Sequence, residues 1–302
     1  MSHAFATSVD TEDPELWKQS KYLIQSIHRW YSSPEIYVCT DKVPQTKRRE
    51  DFLEENTTEV IVTPLPIEDY PISLQLKAFE QAANHSSAEK LVMIDTDIVL
   101  LSKLSLPDCT LAARPTTLAS SFWQTPKSNP IWNEIGVPTD GKYKTVLGNG
   151  TMQCSQYNSG VVVTDDKSIP SSLMEKTRAL RSNPLKQKII EADESERPLF
   201  FSDQVALASV ARQHHSKPLA LRTNYPIRAL PKTPSNIEGL HYGDTELLQG
   251  ILNATIRKKL NQFDTNIHPT FTGFRRRAIS VSWFTASEIM PHTAVSKIRE
   301  LQ

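Results

Sequence analysis

The chain carries the stretch Lys90-Leu91-Val92-Met93-Ile94-Asp95-Thr96-Asp97-Ile98-Val99-Leu100, in which two carboxylates interrupt a run of apolar residues. Such a run is typical of a buried strand in an α/β sheet. Side chains two residues apart on a strand point to the same side, so Asp95 and Asp97 are expected to face one point at the strand's carboxyl end. Burying two like charges together is costly without a cation, which predicts a site for Mg²⁺ or Mn²⁺ shared with substrate phosphates. A solvated strand end with an Asx turn is the other interpretation.

The segments around this stretch alternate between strand and helix patterns. Strands are predicted at Ala4–Val9, Glu35–Thr40, Glu59–Thr63 and Thr110–Arg114. Helices are predicted from an N-cap at Asp13 to about Tyr31, and over about Ser73–Asn84, whereas the charged segment Gln45–Glu55 fits either a solvated helix or a loop. The resulting β-α-β-β-α-β order predicts a Rossmann-like sheet with helices on its faces.

Composition narrows the functional classes. The 302 residues contain equal numbers of basic and acidic side chains, 34 each, so no overall charge attracts nucleic acid and no nucleic-acid partner is expected. Neither G-x-G-x-x-G nor G-x-x-x-x-G-K-[ST] occurs, which disfavours dinucleotide-binding and P-loop enzymes. The sequence shows no secretion signal or membrane span, and its three cysteines form no C-x-x-C pair, so we expect a cytoplasmic protein.

Polar motifs recur further along the chain. A long polar stretch from Pro115 to Gln156 fits either a substrate-side region or a surface excursion with its own small cluster. Tyr157-Asn158-Ser159-Gly160 leads into a β-branched strand, and Ser202-Asp203-Gln204 is typical of a helix start with an acid in its first turn. Leu240-His241-Tyr242-Gly243-Asp244 then places a histidine near a glycine.

In their order, these motifs resemble those of the GT-A nucleotide-sugar glycosyltransferases, most nearly glycosyltransferase family eight, the glycogenin-like and galactosyltransferase-like retaining enzymes. The matching segments are Ala4-Phe5-Ala6-Thr7, Leu76-Lys77, Ile94-Asp95-Thr96-Asp97, Tyr157-Asn158-Ser159-Gly160, Ser202-Asp203-Gln204 and His241-Tyr242-Gly243. Each motif is short, so the resemblance lies in their succession. It implies a Rossmann-like GT-A mixed sheet flanked by helices as the catalytic domain, residues 1–250, followed by a short C-terminal extension, residues 251–302.

The resemblance implies a metal and donor site. Asp95, Asp97 and His241 would hold Mn²⁺ or Mg²⁺ against the diphosphate of a nucleotide-sugar, and a nitrogen ligand beside carboxylates suits Mn²⁺ better. Asp95 would also contact the donor. Four further residues are implied on the donor side: Thr7, Val9, Lys77 and Gly243. His241 taken alone also fits a hydrogen-bonded core histidine, and Lys77 a solvated helix charge.

The resemblance also implies the reaction. Asn158, Asp203 and Gln204 would line the sugar, where a carboxylate and amide oxygens suit the oxocarbenium-like transition state of a retaining transfer. The implied enzyme moves a hexose from a nucleotide-sugar, a UDP-sugar, to an acceptor that is a glycan, a lipid or a protein. The sequence does not identify the sugar or the acceptor.

The chain departs from the family pattern after His241. The family continues through a spaced glycine to Lys-Pro-Trp, whereas here Gly243 comes one place early and no lysine follows through Leu247. The extension at 251–302 holds eight Lys and Arg against three Asp and Glu, with aromatic residues interleaved. It could supply the missing cation or make peripheral contact with an anionic membrane surface at the cytosolic face, and a solvated basic face is the alternative.

Two other functions fit parts of the sequence. A haloacid-dehalogenase-like phosphatase would use Asp95 as nucleophile and Asp97 as general acid, with Asp165-Asp166 as its later acidic pair, although that family carries its nucleophile on the first strand. A non-catalytic protein that binds sugar nucleotides would accommodate the altered histidine motif. Turnover of a nucleotide-sugar separates the transferase from both alternatives.

Overall fold

A computed structural model describes residues 2–116, 122–139, 143–144, 151–152, 156–226 and 236–243. The predicted extension at 251–302 lies outside the described residues, and so does Asp244. Twelve strands occur in the described part: β1 (His3–Ser8), β2 (Glu35–Thr40), β3 (Glu59–Val62), β4 (Lys90–Ile94), β5 (Ile98–Leu100), β6 (Leu111–Pro115), β7 (Tyr143–Lys144), β8 (Thr151–Met152), β9 (Tyr157–Thr164), β10 (Ser216–Pro218), β11 (Tyr225–Pro226) and β12 (Gly239–His241).

Seven α-helices accompany these strands within the same ranges: α1 (Pro14–Trp30), α2 (Lys47–Asn56), α3 (Ser73–His85), α4 (Asn129–Glu134), α5 (Ile169–Leu180), α6 (Leu185–Asp193) and α7 (Ser202–Gln213). Short 3-10 helices lie at Phe122–Gln124, Pro126–Ser128, Arg197–Phe201 and Leu221–Asn224. The charged segment after β2 is a helix, α2, so the observed order is β-α-β-α-β-α-β rather than the predicted β-α-β-β-α-β.

The main sheet has seven strands in the order β10-β6-β9-β4-β1-β2-β3. Strands β1 to β4 run parallel to one another, and β9 runs antiparallel to both β4 and β6. A second sheet orders β11-β12-β5, and β7 pairs with β8. The predicted α/β fold, a mixed sheet flanked by helices, is confirmed.

The two faces of the main sheet bury separate apolar clusters. Alternate residues of β4 divide between them: Leu91 and Met93 pack under α3, α5 and α7, whereas Val92 and Ile94 pack under α1 and α2. Because both faces are covered, the strand is apolar from Leu91 to Ile94, which explains the continuous run in the sequence. Polar groups therefore gather where the strands end.

The stretch predicted as one strand is broken by the two carboxylates. Strand β4 ends at Ile94, and β5 begins at Ile98 and joins the second sheet by pairing antiparallel with β12. Asp95 and Asp97 thus lie in a turn between two sheets, and strand alternation does not bring them together as expected. The turn is fixed by backbone hydrogen bonds from Asp95 to the carbonyl of Gly160 (2.9 Å) and from Tyr242 to the carbonyl of Asp97 (3.0 Å).

Part of the polar stretch at 115–156 belongs to the core. Trp123 and Trp132 are fully buried against each other, with ring centroids 5.2 Å apart. Their indole N–H groups donate to the carbonyls of Pro198 (3.2 Å) and Trp123 (2.9 Å) respectively. These two residues thus belong to the main apolar cluster rather than to a separate small cluster of a surface excursion, and large aromatic side chains with satisfied N–H groups stabilise the interior.

Candidate active site

Three potential metal ligands converge at the carboxyl end of β4. One ligand atom from each of Asp95, Asp97 and His241 lies within 4.8 Å of the others, and His241 Nε2 is 3.2 Å from Asp97 Oδ2. The pairing of β12 with β5 sets His241 opposite Ile98, directly after the turn. The close approach of β12 to the 3-10 helix Leu221–Asn224 needs Gly239, because a Cβ there would lie 2.2 Å from the carbonyl oxygen of Thr223.

The electrostatics of this cluster suit a cation. Burial, followed by the charge of Asp97, raises the pKa of Asp95 to about 6, although His241 and a hydrogen bond from Gln75 oppose the shift. Burial lowers the pKa of His241, but the charge and hydrogen bond of Asp97 and the charge of Asp95 outweigh it, so the net direction is upward. Two carboxylates and an imidazole are donors that Mn²⁺ and Mg²⁺ sites can use, and a bound dication would relieve the like-charge repulsion.

Gly160 provides the space in which the side chains of Asp95, His241 and Asn158 meet. A Cβ at this position would lie 2.9 Å from Asn158 Oδ1, 3.0 Å from Asp95 Oδ2 and 3.0 Å from His241 Cε1. Those distances are at or below the closest that real Cβ atoms show, so a side chain would push the ligands apart. The glycine in the Tyr157-Asn158-Ser159-Gly160 motif is thus required by close approach rather than by backbone conformation.

Gln75 is a site residue that the sequence reasoning missed. It lies on α3, is 5% exposed, and its Nε2 donates to Asp95 Oδ1 at 2.8 Å. The predicted Lys77 instead forms an ion pair with Glu80 at 3.2 Å and is 31% exposed. Residues two positions apart on a helix do not share a face, so a motif that marks Lys77 could not also indicate Gln75.

Asn158 belongs to a partly buried hydrogen-bond network through its side-chain oxygen. Its Oδ1 accepts from the backbone N–H of Gly160 (3.1 Å) and from Asn224 Nδ2 (2.7 Å). Asn224 Oδ1 is 3.0 Å from His241 Nδ1. Asn224 was not marked by any motif, since it is the last residue of the 3-10 helix Leu221–Asn224, in a segment without a recognisable pattern.

A further carboxylate, that of Asp203, is buried beside the cluster. It occupies the first turn of α7, as predicted, is 2% exposed and contributes to the raised pKa of Asp95. Tyr70 Oη donates to its Oδ1 at 2.6 Å, and the backbone N–H of Asp203 donates back to that hydroxyl at 3.2 Å. Burial raises the pKa of Asp203, opposed by hydrogen bonds from Ser159 and Tyr70. Gln204 is half-buried in the same helical turn.

Tyr70 is itself held from the other side. The guanidinium of Arg181 lies 4.1 Å from the centroid of the Tyr70 ring and donates to the carbonyls of Leu199 (2.8 Å) and Asp69 (3.2 Å). Burial and then the charge of Asp203 raise the pKa of Tyr70 well above its usual value, so its hydroxyl remains a donor. Neither Tyr70 nor Arg181 was indicated by the sequence motifs.

Three of the residues expected on the donor side, Thr7, Val9 and Gly243, lie near the ends of their elements. Thr7 and Val9 are each 1% exposed at the carboxyl end of β1, and Val9 donates its N–H to the carbonyl of Cys39 at 2.8 Å. Gly243 has a positive φ of 82° and its carbonyl accepts from Gln19 Nε2 at 3.3 Å. The last contact ties α1 to the segment that follows His241.

The acidic pair required for the phosphatase alternative lies elsewhere. Asp165 follows β9 and forms an ion pair with Lys90 at 3.1 Å. Lys90 begins β4, whereas Asp95 follows its last residue, and the two strands run antiparallel. Asp165 and Asp95 therefore lie at opposite ends of the same strand, too far apart to share one phosphate.

Comparison with known proteins adds structural neighbours. Neither a protein-family model nor a curated sequence matches the chain. Among solved structures, the apo form of the glycosyltransferase GlyE of Streptococcus pneumoniae TIGR4 is 16% identical with a TM-score of 0.49, covering 96% of this chain and 64% of that one. This chain thus spans less than two thirds of the length of GlyE.

Two further neighbours are described as transferases. The galactosyltransferase LgtC, in complex with donor and acceptor sugar analogs, is 14% identical with a TM-score of 0.46, covering 91% of this chain and 99% of that one. Mouse xyloside xylosyltransferase 1 in its apo form is 12% identical with a TM-score of 0.44, covering 80% of this chain and 96% of that one.

Within the described ranges of this chain, no helix is long and apolar enough to cross a membrane.

Proposed function

We propose that this chain is a metal-dependent GT-A-type glycosyltransferase that moves a hexose from a UDP-sugar to an acceptor with retention. The observation that carries the proposal is the convergence of Asp95, Asp97 and His241 at the carboxyl end of a parallel strand. Ligands of α/β sheets bind at such edges, and two carboxylates with an imidazole are suited to a cation that neutralises a diphosphate. Mn²⁺ is the ion that the mixed oxygen and nitrogen donors favour.

In this function the three ligands hold the ion, which when bound supplies positive charge to the departing diphosphate. Gln75 orients Asp95 through its hydrogen bond, so one carboxylate oxygen stays fixed. Asp203 provides buried negative charge beside the cluster, where it stabilises the cationic sugar ring of an oxocarbenium-like transition state. Tyr70 keeps that carboxylate in place and supports its charged form.

Asn158 and Gln204 complete the proposed sugar side, and Thr7, Val9, Lys77 and Gly243 remain the predicted donor side. For Asn158 we assign an organising role, because both hydrogen bonds to its Oδ1 come from the protein. The acceptor, the membrane contact through residues 251–302 and a cytoplasmic location stay predictions. The division into a catalytic domain at 1–250 and an extension at 251–302 is likewise a prediction.

The experiment is a screen of UDP-hexoses for UDP release with and without Mn²⁺. A donor at one hundred times its Kd should also stabilise the protein by about 2.7 kcal/mol. Asp97→Asn should abolish metal-dependent UDP release. Asp108→Asn is the control and should not, because the Asp108 carboxylate is 98% exposed near the opposite end of β4. Hydrolysis of an aryl phosphate without UDP release would favour the phosphatase, and donor binding without turnover the non-catalytic protein.

A further inference from the structure

A chain of hydrogen bonds links the backbone of β9 to the ring of His241 through two amide side chains. It runs from the N–H of Gly160 to Asn158 Oδ1 (3.1 Å), from Asn224 Nδ2 to the same oxygen (2.7 Å), and from Asn224 Oδ1 to His241 Nδ1 (3.0 Å). Asn224 is 0% exposed. The far side of the ring, Nε2, faces Asp97 Oδ2 at 3.2 Å.

The direction of every bond in this chain follows from its first member. A backbone N–H can only donate, so the oxygen of Asn158 must face Gly160. An amide next to that oxygen must donate as well, which turns the Nδ2 of Asn224 toward Asn158 and its Oδ1 toward His241. Because an amide oxygen only accepts, Nδ1 of the histidine must carry the proton.

The tautomer with the proton on Nε2 is also favoured by a neighbouring group, so the chain of hydrogen bonds decides between two tautomers. Asp97 Oδ2 could accept a proton from Nε2, and that proton would point into the space shared with Asp95. A neutral imidazole binds a metal only through a nitrogen lone pair. The two tautomers therefore differ in whether His241 can be a ligand on the side of the carboxylates.

We propose that Asn224 is a positioning residue that holds neutral His241 with its proton on Nδ1 and its lone pair on Nε2, facing Asp95 and Asp97. The consequence, a preference for ions that take nitrogen ligands over Mg²⁺, rests on the proposed metal-dependent function. The tautomer itself does not. Histidine ligands commonly owe their orientation to such an outer partner, and loss of one typically costs 10–100-fold in metal affinity.

The test is long-range ¹H–¹⁵N NMR of metal-free protein with ¹⁵N-labelled histidine, at a pH raised until the ring signals are those of a neutral imidazole. Loss of one signal set in His241→Gln assigns the residue. Wild type and Asn224→Asp, which keeps an acceptor for Nδ1–H, should show the proton on Nδ1. Asn224→Leu should move the proton to Nε2. If that variant does not fold, Asn158→Leu provides a second one, because it frees the Asn224 amide to turn.

A proton on Nε2 in wild type, or on Nδ1 in a folded Asn224→Leu variant, would overturn the proposal. Calorimetry with Mn²⁺ and Mg²⁺ alone adds the metal comparison: Asn224→Leu should lose about 10–100-fold in Mn²⁺ affinity, and Asn224→Asp should not show that loss. If wild type has the Nδ1–H tautomer, Asn224→Leu loses it and wild type does not bind Mn²⁺, the role of Asn224 is supported and the metal-dependent function is contradicted.

Discussion

Asp95 is the residue at which stability and the proposed function conflict. Its carboxylate is desolvated and lies beside Asp97, and both effects raise its pKa to about 6. In the folded, metal-free protein the charged form is therefore unfavourable relative to the unfolded chain. The folded state binds this proton more tightly than the unfolded state, so the contribution of Asp95 to stability falls as pH rises from about 4 through about 6.

Asp95→Asn should stabilise the metal-free protein while it removes metal binding. The amide keeps an oxygen for Gln75 but carries no charge, so the variant should gain up to about 3 kcal/mol over wild type above pH 6 and nothing below about pH 4. Urea unfolding in EDTA between pH 4 and pH 8 measures the difference. A variant that is less stable than wild type at pH 8 would show that Asp95 is a structural carboxylate, held by partners rather than opposed by Asp97.

Variants of Asp203 and Tyr70 distinguish a residue proposed to face the sugar from the residue that positions it. Asp203→Asn should abolish transfer with little change in UDP affinity, because it removes charge needed only in the transition state. Tyr70→Phe should lower turnover partially and shift the acidic limb of the pH profile upward, since the carboxylate loses a hydrogen bond that favours its charged form.

Tyr22→Phe is the control for this pair, because Tyr22 lies on α1 and is buried without belonging to the site. Steady-state kinetics across pH on the donor identified by the UDP-release screen gives the comparison. Equal pH profiles for Tyr70→Phe and wild type would mean that the hydroxyl does not influence Asp203 during turnover.

At the scale of elements, α1 connects a helix cap to the site. Asp13 accepts hydrogen bonds from the N–H groups of Glu15 (2.7 Å) and Leu16 (3.0 Å), and further along the helix Gln19 contacts the carbonyl of Gly243. Asp13→Ala should lower the free energy of unfolding by about 1 kcal/mol. Asp13→Asn should keep most of the wild-type stability, because asparagine is also a good N-cap. Equal chemical-denaturation midpoints for all three proteins would show that the cap does not stabilise α1.

Local patterns predicted the elements that depend on local physics. The Asp13 cap with Pro14, the apolar run of β4 and the acid at the start of α7 all lie where the sequence indicated. The break after Ile94 could not be predicted, because β5 leaves the main sheet to pair with β12 from a distant segment. Nonlocal pairing of this kind leaves no periodicity in the sequence.

The same limit applies within the candidate site. Asp95, Asp97 and His241 were indicated by motif resemblance, and the structure brings them together. Gln75 and Asn224 were missed because their roles depend on which side chain faces them across the fold, rather than on their neighbours in the chain. The strand alternation invoked for Asp95 and Asp97 was wrong in its geometry although both residues do converge.

For the whole molecule, the site is assembled from segments that only the complete sheet brings together. The turn after β4, strand β9, the start of α7 and strand β12 each contribute one or more polar groups at the same edge. Since the cost of grouping these partly buried charges falls on the fold, a bound ion should be required before the site accepts an anionic ligand such as UDP.

The most direct test of that claim is isothermal titration calorimetry of UDP into the intact chain, with Mn²⁺ and then with EDTA. We predict UDP binding only with Mn²⁺, its loss in Asp97→Asn and its retention in Asp108→Asn. UDP binding of equal affinity in EDTA, or unchanged in Asp97→Asn, would contradict a site in which Asp95, Asp97 and His241 hold the ion against the diphosphate.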